Sequence, residues 1–267
     1  MASITPAPGP DDVDAERTAL RRLRWPWPPF VLAALLGLGV LGWTVTALPG
    51  LPDQVPTHWG LDGRPDAWAE KSFGTVGGGA VVALGMTLLF AFLAALLPAM
   101  SPVPATATPW RRIRQAGVVR GSQAGLGWSC LLVSLVLLPT TVEVLADGAW
   151  HAPWWLMPLA LTALAAGMLP LISASVRVAV RRADAVAADL GHRPTPEELV
   201  EEHRWTASGL KRDPDDPSVF PPKREGYGIG TTVNIATPLG RALVGMFVLL
   251  FMVGVPVAAW IVSWLHR

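Results

Sequence analysis

Val76–Met100 reads VGGGAVVALGMTLLFAFLAALLPAM and holds no Asp, Glu, Lys, Arg or His. A helix rises about 1.5 Å per residue, so crossing a hydrocarbon core of about 30 Å takes roughly 20 residues. Lipid cannot satisfy an open backbone, which leaves helix as the state for such a stretch. Four more stretches meet the same test: Phe30–Leu48, Gly121–Val142, Ala152–Val176 and Ala242–Leu265. A soluble helix of this length carries a polar face, and these show none over five or more turns. Tryptophans 25, 27, 43, 154, 155, 260 and 264 stand near the ends, where indoles favour the membrane interface. The expected fold class is all-α: an integral membrane bundle of five transmembrane helices, with a short extracellular ribbon loop and a cytoplasmic α+β insert.

Composition agrees. Of 267 residues, 51% are hydrophobic and 15% charged, against about 25% charged in a typical globular domain. The net charge of +1 recruits no nucleic acid. The single cysteine, Cys130, lies in an apolar stretch and cannot form an internal disulfide. Arginine far outnumbers the three lysines, as in GC-rich bacterial genomes. The residues before Phe30 include Asp11, Asp12, Asp14 and Glu16, and Pro49-Gly50-Leu51-Pro52 follows the first span, so no secretory signal is expected. Residues 1–24, rich in Pro, Ala and Asp, read as a disordered tail. The division that follows is a cytoplasmic tail over 1–28, two spans with their loop over 29–100, spans three and four over 101–176, an insert over 177–240 and the last span over 241–267.

Basic residues set the orientation. The tail has Arg17, Arg21, Arg22 and Arg24. The first loop has only Arg64 and Lys71, against Asp53, Asp62, Asp66 and Glu70. The second connection has Arg111, Arg112, Arg114 and Arg120, and the third has none. The fourth has Arg177, Arg181 and Arg182, then Lys223, Arg224 and Arg241. The counts alternate high and low. Positive residues stay inside, so a cytoplasmic N-terminus and an extracellular C-terminus in a bacterial plasma membrane are expected.

The first loop runs from Leu51 to Lys71. Pro49, Pro52 and Pro56 favour extended chain, and Asp62-Gly63 is a tight-turn signal. Asp66 is placed to cap a short turn leading through Trp68 to Lys71. Trp59 and Trp68 are expected at headgroup level or over the helix ends. His58 with Asp53, Asp62 or Asp66 makes a poor metal set, so a hydrogen bond within the loop, or recognition of a peptide or headgroup, is preferred. The residues Leu51, Pro52, Pro56, His58, Trp59, Gly63, Asp66, Trp68 and Lys71 resemble the hallmark of the domain of unknown function 1648, a module also found in SdpI-type immunity membrane proteins. The resemblance covers about residues 30–100 and implies a membrane architecture. The candidate recognition residues are Pro56, His58, Trp59, Asp62, Gly63, Asp66, Trp68 and Lys71.

Residues 177–190 should continue the fourth span, with Asp184 pairing Arg181 and a stop at Gly191. Thr195-Pro196-Glu197-Glu198 is a capping box that starts a helix to about His203. Beyond it, Pro and Gly recur too often for helix. Trp205, Pro214, Asp216, Pro217, Val219, Phe220, Pro222, Lys223, Arg224, Gly226, Gly228 and Asn234 resemble the domain of unknown function 5808. Asp213 stands where that pattern has Asn, and Ser218 where it has Arg. The candidate cytoplasmic motif is this set without Val219. A re-entry loop docked under the bundle is expected. Phosphate binding by Gly226, Gly228 and Gly230 is not, because Thr231–Val233 read as strand rather than helix. Asp213, Asp215 and Asp216 lack the distal Glu of a calcium loop and read as turn formers.

No span holds a charged side chain in its middle, as proton relays and coupled transporters do. No nucleophile has a base beside it, so no enzyme and no cofactor is expected. Ala33 with Gly37, and Gly121 with Gly125, would allow close helix packing or self-association. Two readings stand: a non-enzymatic sensor, immunity-like or signalling protein whose loop meets a peptide or envelope component, and a transport component or permease accessory subunit. The expected partners are the lipid bilayer, a peptide or protein, and a second copy of the chain.

Overall fold

The computed structural model describes residue 19 and residues 21–23, 25–59, 65–104, 106–225 and 227–265. Asp62, Gly63 and Gly226, together with Arg17, Arg24 and Arg64, lie outside the described residues. The helices are α1 (Pro28–Ala47, closed by a 3-10 turn Leu48–Gly50), α2 (Phe73–Met100), α3 (Pro109–Leu145), α4 (Leu156–Thr162), α5 (Met168–Asp189), α6 (Pro196–His203), α7 (Pro238–Phe247) and α8 (Val255–Leu265). Strands β1 (Gln54–Trp59) and β2 (Pro65–Glu70) form a two-stranded antiparallel sheet.

Among the described residues five helical runs are long and apolar enough to cross a membrane: Pro28–Gly50, Phe73–Met100, Pro109–Leu145, Leu156–Asp189 and Pro238–Leu265. Four of them contain a charge-free stretch whole and the fourth run covers all but the start of its own; the last three runs extend into charged flanks. The third begins at Pro109, so Arg111, Arg112, Arg114 and Arg120 are helical. The fourth starts at Leu156 rather than Ala152; Pro153 disfavours helical backbone at Ala152. Two runs are interrupted by π-helix, at Ala163–Gly167 and Val248–Gly254. A proline follows each, Pro170 and Pro256. Without an N–H it leaves a carbonyl free in the preceding turn, and the register widens there.

The chain divides into two compact units. One comprises Met1–Pro26, Leu93–Leu126 and Leu171–Met246. Here the first part of α3 packs on α5 through a glycine stripe. A Cβ on Gly117 would lie 2.6 Å from the Ala183 Cβ, one on Gly121 2.5 Å from the Val176 Cα, and one on Gly125 2.9 Å from the Ile172 Cα. Small residues bring the backbones close, which is how helices gain dispersion energy when lipid offers no hydrophobic drive. Ala19 and Leu23 are buried against Trp110, Ile113, Ala183 and Ala187. Both residues fall within the stretch 1–24 that reads as a tail in the sequence.

The other unit comprises Trp27–Phe92, Gly127–Pro170 and Phe247–Arg267. Gly37 lies under Leu84, so α1 and α2 pack closely. Leu51 and Val55 join Val76, Val144 and Leu145 in a buried cluster that fixes the root of the sheet. The π segments of the fourth and fifth runs touch each other, as do α4 and α8. Trp260 Nε1 donates to Thr162 Oγ1 at 3.1 Å.

Candidate functional site

The ribbon is built by two opposed demands. Val55 and Trp59 turn toward the buried cluster, while Thr57, His58, Asp66, Ala67 and Trp68 are exposed. Pairing runs Gln54 to Glu70, Val55 to Ala69, Pro56 to Trp68 and His58 to Ala67, with irregularities between Pro56 and His58 and between His58 and Trp59. The first leaves Thr57 as an extra residue, a bulge that re-aims the next side chain. His58 Nδ1 and Asp66 Oδ1 then sit 2.5 Å apart across the strands. Asp66 is a strand residue, so its sequence reading as the cap of a short turn is corrected: its neighbours Pro65 and Ala67 pair across the strands and hold it extended despite its turn preference. Trp68 is 58% exposed.

Lys71 sits at the root. Its Nζ donates to the Leu51 carbonyl at 2.6 Å and lies 3.5 Å from Asp53 Oδ1, and its backbone N–H donates to the Asp53 carbonyl at 2.9 Å. It closes the base of the loop, and Pro56, half-buried, lies nearby in the strand. The exposed face thus carries His58, Asp66 and Trp68 on a fixed base.

The segment after α5 is organised around two polar centres. Gly191 takes a φ of +81°, and the His192 N–H reaches back to the Ala187 carbonyl at 2.8 Å, closing α5. The capping box forms: Glu198 N–H donates to Thr195 Oγ1 at 3.2 Å, and Thr195 N–H to Glu198 Oε2 at 2.9 Å. Asp184 bonds Arg114, not Arg181. The same Arg114 donates from Nη2 to Glu202 Oε2 at 2.8 Å. Glu202 also accepts from Arg224, a buried arginine whose guanidinium stacks 4.8 Å over the Tyr227 ring. Burial pushes the Glu202 carboxyl up, but the bond from Arg114 and the charge of Arg224 outweigh it, leaving the group below the usual range. Burial raises the Tyr227 phenol.

The second centre is Asn234, fully buried. Its Oδ1 accepts from the Asp213 and Ala236 N–H groups, at 3.2 and 3.0 Å. Its Nδ2 donates to the Asp213 and Asp216 carbonyls, at 2.9 and 2.8 Å. All four positions of the amide are used. Asp216 takes Lys211 Nζ at 2.7 Å and the Ser218 N–H at 2.9 Å, and these bonds hold it below the usual carboxylate range. Asp213 Oδ1 accepts the Asp215 N–H at 3.2 Å. These carboxylates form turns of the kind short acidic side chains favour. Trp205 Nε1 donates to Glu201 at 2.8 Å. Thr231 bridges Pro222, with Gly228 and Gly230 at φ of +103° and +104° in the turn between them. Among the described residues of the expected α+β insert, β pairing is confined to isolated bridges. Pro214, Pro217, Phe220, Pro222 and Lys223 are exposed.

Of the candidate motif, then, the structure collects Asp216 and Asn234 at one centre and Arg224 at the other. Sequence reading missed Glu202, Tyr227, Lys211 and the role of Arg114. A run of Glu beside a Trp was the signal for Glu202, but its partners are remote in sequence.

The family model of a domain of unknown function (DUF1648) matches residues 35–78, which take in most of α1, the whole ribbon and the start of α2. No curated protein and no solved structure matches the chain. Over that matched region the chain is similar to a family whose own description carries no activity.

Proposed function

We propose that this is a non-enzymatic bacterial plasma-membrane protein, sensor- or immunity-like, with its N-terminus in the cytoplasm and its ribbon outside, where the ribbon recognises a peptide or envelope component. The observation that carries the reading is the ribbon's division of labour. Leu51, Val55 and Lys71 hold its base, and the coupled His58–Asp66 pair and Trp68 are turned to solvent. A rigid base lowers the ordering cost of binding, and an exposed indole beside a charge-capable pair suits a peptide. The residues that resemble the domain of unknown function 5808 would form a docked intracellular segment, in the order of proteins that carry both modules. In cells whose growth depends on the protein under a toxic peptide, the double variant H58A/D66A is expected to lose protection while membrane abundance stays level. Undiminished protection in that variant rejects the ribbon as the recognition face.

A second reading, a transport component, has one observation of its own: the touching π segments at Ala163–Gly167 and Val248–Gly254 in two apolar runs. Such segments recur at functional sites. Solute flux through purified protein in vesicles, retained in H58A/D66A, would favour it.

A further inference from the structure

An open hollow of about 670 Å³ lies between α6, the Arg212–Asp215 turn and the start of α7. Arg204, Arg212 and Arg241 line it with His203, Val200 and Asp215. Three arginines and one acidic residue, Asp215, are therefore among its lining residues. The other nearby carboxylate, Asp213, is buried and lies 3.8 Å from Arg204 Nε. Arg241 donates to the Ala236 carbonyl at 3.1 Å and remains exposed. Arg212 has no side-chain partner among the described residues and is exposed.

Two features say what would occupy this place. Arg241 lies in the first turn of α7, and the charge-free run Ala242–Leu265 begins at the next residue. A span that enters hydrocarbon there puts Arg241 at headgroup depth. The lining is also amphipathic: Val200, 58% exposed, Pro214 and Ile235 join the arginines. Guanidiniums bind phosphate oxygens bidentately, and apolar side chains beside them suit the glycerol and upper acyl carbons.

We infer that this hollow seats the phosphodiester headgroup of an anionic phospholipid, held by Arg212 and Arg241 with Arg204 behind them. The inference rests on the membrane reading above but not on what the ribbon recognises.

The test uses the full chain purified in a neutral, phosphate-free detergent. Binding is measured for short-chain phosphatidylglycerol, short-chain phosphatidylcholine, inorganic phosphate and an acidic hexapeptide. Phosphatidylglycerol should bind saturably and about tenfold more tightly than the others, and R212Q/R241Q should weaken it about tenfold. R181Q/R182Q removes equal charge from exposed α5 positions that do not line the hollow and should leave the affinity unchanged. Should R212Q/R241Q fail to fold, the wild-type protein still decides: its phosphatidylglycerol affinity, but not its phosphatidylcholine affinity, should fall at high salt. Equal affinity for the two lipids overturns the inference. So does an equal loss in R181Q/R182Q, which means diffuse charge. Phosphate binding as tight as the lipid means a site for soluble anions, and tighter hexapeptide binding means a protein surface. A chain that stays monodisperse without detergent would instead remove the membrane reading itself.

Discussion

Glu202 accepts hydrogen bonds from two guanidiniums, those of Arg114 and Arg224, and its depressed pKa links this centre to pH. A carboxylate whose folded pKa lies below its unfolded value adds stability above the unfolded value, about 4.3 for Glu, and loses it as pH falls through the folded value. The thermal midpoint of the wild type in detergent should therefore exceed that of E202Q at pH 7, and the gap should close as pH drops below about 4.3. A gap constant from pH 7 to 3 would mean that Glu202 acts through shape alone. The resemblance to a motif singles out Trp205, Asp216, Arg224 and Asn234 in the sequence, and the structure gives each a side-chain hydrogen bond. Glu202 was not singled out, and Asp184 was paired with the wrong arginine. Helical spacing reveals only partners three or four residues away, whereas Arg114 comes to Asp184 and Glu202 from 70 and 88 residues off.

At the scale of elements, the glycine stripe of α3 is an exacting contact. A side chain at Gly121 meets the backbone of Val176, which cannot yield as a flexible side chain can. G121V should lower the stability of the folded chain by about 1–3 kcal/mol through overpacking. G39A, whose added methyl meets nothing within 4 Å, should be neutral or slightly stabilising from helix propensity. Unfolding of both variants in detergent checks this, and equal effects would show that the stripe is not a packing seam. The helix α6 was readable from Thr195, Pro196 and Glu198 alone because a capping box is local. The ribbon was readable as extended chain, but not its bulge at Thr57 or its strand at Asp66. Those depend on the register between the strands, which skips Thr57 on one and Asp66 on the other, and register is a property of the pair rather than of either segment.

At the scale of the molecule, the proposed orientation puts the ribbon and the Asn234 segment on opposite sides of a membrane. Thr57 and Ser218 are exposed, and Cys130, the single cysteine, is fully buried. A membrane-impermeant thiol reagent added to intact cells should label T57C and leave S218C and the wild type unlabelled. Permeabilised cells should label both variants. Labelling of both variants in intact cells would overturn the orientation.

The sequence by itself determined the five apolar helical runs, their charged flanks and the capping of α6. Transfer from water to oil sums over consecutive residues, and caps and stops act within one turn, so no partner need be known. Only the tertiary structure decided that Glu202 joins Arg114 to Arg224, that Asn234 saturates four backbone groups, that Lys71 closes the ribbon's root, and that three arginines surround one hollow. Each of those depends on distances between groups far apart in the chain. An ion pair or a buried amide is stabilising only when its partner arrives within hydrogen-bonding reach, and composition does not encode that arrival.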